Sequence, residues 1–293
     1  MDFTLTLVAS DTPLKVGHLS TIEHFAEDNG IMITDEPQWL KEHKAADIPL
    51  AQCVTLEQMQ DLRALMEPNK IDVFCTHTHN RRKHLLMADM DSTIVTSETL
   101  DELAAEAGLK DQISAITTKA MRGELDFEGA LRKRVSLLEG LSTDALKRTL
   151  DDTEISKGAE QLVKTMRDNG AFCALVSGGF TYFTGAIAAK LGFTTHHGNT
   201  LNIEKDRLKG TVGQPILGKE AKLNYLKLYC EELELELEET AAIGDGANDL
   251  PMLQAAGLGV GYHPKPLLAE TLLNCIIHGD LTAMLFIQGY KLD

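Results

Sequence analysis

Asp89 and Asp91 stand two positions apart where the apolar run HLLMAD gives out. In an extended chain that spacing puts both carboxylates on one side. Such a pair suits a hard cation, or a division of labour between a nucleophile and a proton carrier. Alone, it equally describes a helix cap or a solvated turn. Ser177, Gly178 and Gly179 close a second apolar run, AFCALVS, just ahead of the helical FTYFTGAIAAKLG. Backbone N–H groups at that junction bind anionic oxygen without side-chain interference, and the hydroxyl adds a donor. Taken singly, SGG is a tight turn. A third run, TAAIGD, ends at Asp245; Gly246 permits the turn, and Asn248 and Asp249 open a helix that holds Pro251 in its first turn. Helix capping accounts for Asn248 and Asp249 but not for Asp245. Asp89, Asp91 and Asp245 together make a hard oxygen site suited to Mg2+. In GKEAKLNYLKLY, Lys219 begins a helix and Lys222 borders its apolar face. Either can neutralise a bound phosphate, although solvation is the ordinary fate of an isolated lysine.

Positioning these groups requires strands that end along one edge. From Leu85 onward short apolar runs alternate with helical segments, the pattern of a parallel sheet covered by helices. The runs are HLLMAD, AFCALVS, TAAIGD, LGVGY and NCIIH. The fold class is therefore α/β, and ligands of such sheets bind beyond the carboxyl ends of the strands. Residues 97–157 read as helix throughout, too long for a crossover, and predict an inserted helical cap. Residues 200–212 predict a projecting polar hairpin, and the acidic run at 232–240 a solvated helix end or loop. Residues 1–80 predict a small α+β unit with strands at TLTLVAS, IMI and IDVFC and helices through HLSTIEHFAED and TLEQMQDLRALM. That order is similar to the ligand-sensing ACT domain. The stretch THTHNRRKH at 76–84 reads as a linker with solvated His77 and His79.

Composition narrows the partners. A net charge of −16 argues against a broad nucleic-acid or anionic-membrane footprint, and it repels a phosphate substrate as well, so any phosphate site needs local cations. Five scattered cysteines (Cys53, Cys75, Cys173, Cys230, Cys275) form no C-x-x-C pair and suggest neither a disulfide frame nor zinc. The N-terminus has an early acid and no basic start, unlike a secretory signal, and no apolar stretch spans a bilayer. A cytoplasmic location is expected.

ADMDST, VSGG, GKEAK and AIGDGAND, in that order, resemble the haloacid dehalogenase superfamily and within it the phosphoserine phosphatases, over about residues 84–293. The alternative phosphate cradle, GxxxxGK[ST], is absent. The resemblance implies a Rossmann-like parallel-sheet core (81–96 and 158–293) with a helical-bundle cap (97–157). It makes Asp89 the nucleophile and Asp91 the general acid and base. Lys222, rather than Lys219, becomes the phosphate-neutralising lysine. Mg2+ falls to the Asp89 and Asp245 carboxylates and the Asp91 backbone carbonyl, with Asp249 behind them, while Ser177, Gly178, Gly179 and Asn248 hold phosphate. In this scheme Asp91 starts neutral and Asp89 ionised.

The cap carries its own signal. In DFEGALRKRVSLLEG, Phe127, Leu131, Val135 and Leu138 share a helical face, and Arg134, seven residues past Phe127, falls in that stripe. A guanidinium there either snorkels to solvent or captures a carboxylate across a cleft. Glu98 reads as a helix-start acid, with Thr99 and Glu102 as a capping box; the resemblance instead makes it the group that recognises a substrate amine, with Phe127, Arg134 and Met121 lining the pocket. One anionic and one cationic group match an amino acid, so L-phosphoserine is the expected substrate. Two rivals stand beside this: a phosphotransferase or phosphatase on the same core acting on another small phosphomonoester, and an amino-acid-sensing regulatory protein with an inert core. A homodimer through the N-terminal unit is expected.

Overall fold

Strands that are buried on both faces must be apolar at every position, and the five runs above meet that requirement. In the computed structural model, which describes residues 2–121 and 124–292 apart from the side chains of Thr118, Ala120, Met121 and Lys219, they become the centre of the larger of two main sheets.

The N-terminal unit runs β1 (Phe3–Ala9), α1 (Val16–Asp28), β2 (Gln38–Lys41), β3 (Ala45–Leu50), α2 (Leu56–Met66) and β4 (Ile71–His77). Its antiparallel sheet has the order β2-β3-β1-β4. Leu5, Leu7, Ile48 and Val73 from the sheet close over Leu19, Ile22, Met59 and Leu62 from the two helices. Thr55 caps α2 by accepting Gln58 N–H at 3.2 Å, and the Gln58 side chain accepts Thr55 N–H at 2.9 Å.

The apolar IMI run differs from expectation. Only Ile33 forms an isolated bridge, to Leu50, and Met32 is exposed; the middle strands are β2 and β3. The stretch at 76–84 is exposed at residues 77–80, 82 and 84, but Arg81 and Lys83 are fastened to both sides. Arg81 donates to Asp47 Oδ2 at 2.6 Å, to Thr6 Oγ1 and to the Ile287 carbonyl, and the Lys83 ammonium donates to Asn80 O and Glu238 O. His77 and His79 remain exposed, with the His77 ring tilted against Phe3.

The chain then continues with β5 (Leu85–Ala88) and four cap helices, α3 (Thr99–Glu106), α4 (Lys110–Met121), α5 (Phe127–Ser136) and α6 (Thr143–Asp152). It returns through α7 (Ala159–Asp168), β6 (Phe172–Phe180), α8 (Thr181–Leu191) and β7 (Thr195–Asn199), then a hairpin, β8 (Leu201–Glu204) and β9 (Arg207–Val212). Next come α9 (Lys219–Glu232), β10 (Thr240–Gly244), α10 (Leu250–Ala255), β11 (Leu258–Tyr262), α11 (Pro266–Thr271), β12 (Cys275–Ile276) and α12 (Ala283–Ile287). The six-stranded sheet is parallel, in the order β12-β11-β10-β5-β6-β7. Alternate residues serve opposite faces: Leu86, Ala88, Cys173 and Leu175 pack with α7, α8 and α12, whereas Leu85, Met87, Ala174 and Val176 pack with α9, α10 and α11. The order reverses between β5 and β10, so a crevice opens beyond those two strand ends, where Asp89 and Asp245 lie.

The cap leaves and rejoins the core at one place. Val95 bridges Ile155, Thr96 N–H donates to Glu154 O, and Ser156 N–H donates to Ile94 O. No helix among the described residues is long and apolar enough to cross a membrane.

Candidate active site

Asp89 follows β5 directly and is 4% exposed. Its Oδ1 accepts Met90 N–H at 2.8 Å and lies 2.6 Å from Lys222 Nζ, leaving Oδ2 without a protein donor among the described residues. Lys222, on the first turn of α9, is also buried and bonds Asp249 Oδ1. Asp249 is wholly buried, its Oδ2 accepting Gly246 N–H at 3.1 Å and its Oδ1 accepting from the Asn248 amide. Gly244 makes room for it: a Cβ there would stand 2.4 Å from Asp249 Cγ.

Oxygens of Asp89, Asp245 and Asp249 lie within 4.8 Å of one another. Three buried carboxylates, two at neighbouring strand ends and one at the start of α10, are the donor set of a hard divalent cation such as Mg2+, and they fit it. The sequence reading placed Asp249 behind the ligands; here its carboxylate belongs to the same cluster. The Asp91 carboxylate lies outside it.

The charges in this cluster press on one another. Burial, then the Asp249 carboxylate, pushes Asp89 well above the usual carboxylate range, against the pull of Lys222. Burial also disfavours the Lys222 ammonium, but Asp249 and Asp89 outweigh it and raise its pKa. Asp245 is raised by burial and held back by Lys265. The protein charges alone thus disfavour an ionised Asp89; a divalent cation among the three carboxylates would supply the positive charge that favours it.

Asp91 is held differently. Its Oδ1 accepts Thr99 N–H at 2.8 Å and the Thr99 hydroxyl at 2.7 Å, and its Oδ2 accepts the Ser177 hydroxyl at 2.8 Å. Thr99 is thus committed to Asp91. The capping box with Glu102 does not form, since Glu98 is the N-cap and makes no side-chain cap bond. Gly179 N–H donates to Ser177 Oγ at 2.8 Å, and Asn199, at the end of β7, donates to the Gly178 carbonyl at 2.8 Å, which fixes the SGG segment.

Asp89, Asp91, Glu98, Phe127, Arg134, Ser177, Gly178, Gly179, Asp245 and Asn248 line one cavity of about 420 Å³, within the usual range for small-molecule sites. Lys222 lines an adjoining niche with Phe127, Ser177, Gly178 and Asn248. Phe127 comes from the cap and sits over Gly178, where an added Cβ would be 3.2 Å from its ring. Arg134 is half-buried, its Nε donating to Ala130 O at 3.3 Å, while Arg132 and Lys133 are exposed as the helical arithmetic requires. Burial lowers the Arg134 pKa, opposed by Asp101 and Glu98, and a guanidinium keeps its charge regardless. Burial, then the Asp91 charge, raises Glu98. Glu98 Oε1 accepts the Ser92 hydroxyl at 3.0 Å. Met121 and Lys219 lie outside the described side chains.

Lys265 escaped the sequence reading. Its ammonium stands 2.9 Å from Asp245 Oδ2 and 3.8 Å from Glu98 Oε1. The signal was available: Lys265 follows β11 by three residues, at the same sheet edge as Asp89 and Asp245.

This fold and this carboxylate cluster agree with the relatives. Residues 86–254 match the family of haloacid dehalogenase-like hydrolases. The chain is 39% identical over 207 residues to a phosphoserine phosphatase of Archaeoglobus fulgidus, a match that takes in 71% of this chain and 60% of that one. It is 38% identical over 205 residues to a phosphoserine phosphatase of Methanocaldococcus jannaschii, covering 70% of this chain and 97% of that one. A crystal structure of a haloacid dehalogenase family hydrolase from Salmonella enterica serovar Typhi superposes with a TM-score of 0.88 at 27% identity over 99% of both chains. The chain belongs to the haloacid dehalogenase-like hydrolase family.

Proposed function

We propose that the protein hydrolyses O-phospho-L-serine to L-serine and phosphate, the last step of serine biosynthesis, with Mg2+ as its cofactor. The observation that carries this is one cavity with two chemically different ends: the Asp89, Lys222 and Ser177 cluster at the core, and Glu98 with Arg134 at the cap side. The first end suits a phosphoryl group. The second offers one carboxylate for an ammonium and one guanidinium for a carboxylate. The names of the relatives support the same substrate.

In this reading Asp89, Asp245 and Asp249, with the Asp91 carbonyl, hold the cation, which lowers the charge repulsion around phosphorus when bound. Asp89 Oδ2 forms a bond to phosphorus as the bond to the serine oxygen breaks, and phosphoryl transfer asks mainly for alignment and charge neutralisation. Lys222, the Ser177 hydroxyl and the Gly178 N–H bind phosphoryl oxygens. The Ser177 hydroxyl donates its hydrogen bond either to Asp91 or to the substrate. When it turns to the phosphate, Asp91 Oδ2 is free to carry its own proton for the leaving serine oxygen. Asp91 then takes a proton from the water that attacks the aspartyl-phosphate, restoring Asp89 and releasing phosphate.

The division into residues 1–80, the core at 81–96 with 158–293 and the cap at 97–157 belongs to this reading. So do a cytoplasmic location, which the free cysteine thiols support, and a homodimer through the N-terminal unit, for which the edge strand β2 offers the surface. The test is phosphate release across phosphorylated amino acids and sugars, with and without Mg2+. L-phosphoserine is expected to lead, and Asp89→Asn to abolish both turnover and covalent phosphate capture. Phospho-enzyme formation by that variant would overturn the assignment.

A further inference from the structure

The N-terminal unit grips the core at one end of a short helix whose other end reaches the carboxylate cluster. Arg63 on α2 donates to Ala269 O at 3.1 Å, Leu272 O at 3.0 Å and Leu273 O at 2.8 Å, and the Gln60 amide reaches Glu270 O. These carbonyls lie at and just beyond the C-terminal end of α11, which leaves its last carbonyls without intrahelical donors and carries partial negative charge. Lys265 is the N-cap of the same helix. Its backbone N–H donates to Asp245 O at 2.9 Å, and its ammonium lies on Asp245 Oδ2 and near Glu98. At 1.5 Å per residue, α11 is a strut about 9 Å long, anchored midway by the fully buried Leu268.

We infer that Lys265 is a positioning residue that sets Asp245 against Glu98 while opposing a cation at Asp245, and that Arg63 holds it there through α11. The physical case is charge. Two carboxylates, Asp245 and Glu98, face a common cavity, and one ammonium between them relieves their repulsion. That same ammonium weakens any divalent cation that shares Asp245. This inference rests on the reading of Asp245 as a metal ligand, and it gives the N-terminal unit a route to the metal site.

The test is Mg2+ binding by the metal-free full chain, followed by titration calorimetry, so that the readout does not depend on turnover. Lys265→Met is expected to bind Mg2+ roughly tenfold more tightly than the wild type and to lose kcat on phosphoserine, a combination that general loosening of the fold does not produce. Lys265→Arg should keep wild-type affinity. Arg63→Met should tighten Mg2+ binding in the same direction, and have no further effect once Lys265→Met is present. Arg63→Lys, which keeps a donor, should shift it less and guards against a variant that does not fold. Unchanged Mg2+ affinity in Lys265→Met overturns the role of Lys265, and an Arg63→Met effect of equal size in both backgrounds overturns the coupling. A wild-type chain that binds no Mg2+ overturns the metal reading and this inference together, whereas binding without phosphoserine hydrolysis overturns only the proposed substrate.

Discussion

The hydroxyl of Ser177 lies 2.8 Å from Asp91 Oδ2, and the space beside both oxygens is kept open by Gly179, where an added Cβ would stand 2.8 Å from Asp91 Oδ2 and 3.0 Å from Ser177 Oγ. Gly179→Ala must displace Asp91 Oδ2 or Ser177 Oγ, the proposed acid–base group and phosphate ligand. A displacement of that kind costs roughly a hundredfold in kcat, and thermal unfolding should show the variant still folded. Ser177→Ala removes one hydrogen bond to a charged group, about 1.5–3 kcal/mol, and should lower kcat/KM by roughly ten- to a hundredfold. Wild-type rates in both variants would separate this contact from the chemistry.

Lys222 is the ammonium between Asp89 and Asp249. Lys222→Met leaves two buried carboxylates facing each other, and breaking a buried pair in this way costs about 3–5 kcal/mol. Urea unfolding of the metal-free chain should register that loss, and added Mg2+ should recover part of it.

Glu98 predicts a pH limb. Its carboxyl is raised by burial and by Asp91, and Lys265 opposes the rise. The ionised form, which binds an ammonium, exists above the raised pKa and is lost as pH falls through it. KM for phosphoserine should therefore begin to climb at a pH above the ordinary glutamate value of about 4.3, while an aryl phosphate without an amino group shows no such climb. Glu98→Gln should erase the limb. A phosphoserine KM that stays flat down to about pH 4 would count against an amine-binding role.

Substitution of Arg134 tests whether substrate recognition is separable from phosphoryl chemistry. Arg134→Ala should weaken kcat/KM for phosphoserine roughly a hundredfold, the scale of a lost charge-assisted pair. A small aryl phosphate should be nearly unaffected. Equal losses on both would make Arg134 a packing residue.

Much of the core was readable because its strands are buried on both faces; β5, β6, β10 and β11 sit where their apolar runs predict. The helical character of the cap and the hairpin predicted at 200–212 were readable as well, but not the division of the cap into α3, α4, α5 and α6. β3 was not. It contains Pro49, which argues against a strand flanked on both sides; the structure tolerates it because Pro49 lies past the end of the short β2, with its carbonyl turned to Thr34 and away from β1. β7 reads THHGN and has no apolar run to betray it. Asp249 looked like a helix-start residue, and only the absent side chain of Gly244 explains how its carboxylate joins Asp89 and Asp245. Thr99 acts on Asp91 through a distance between segments that no local pattern encodes.

The seam at Val95 and Ile155 places the two ends of the cap side by side. A segment spliced in at such a seam can grow, shrink or be exchanged without moving the register of any strand in the parallel sheet. A change in the cap can therefore alter what reaches the cavity while the strand ends that carry Asp89 and Asp245 keep their places.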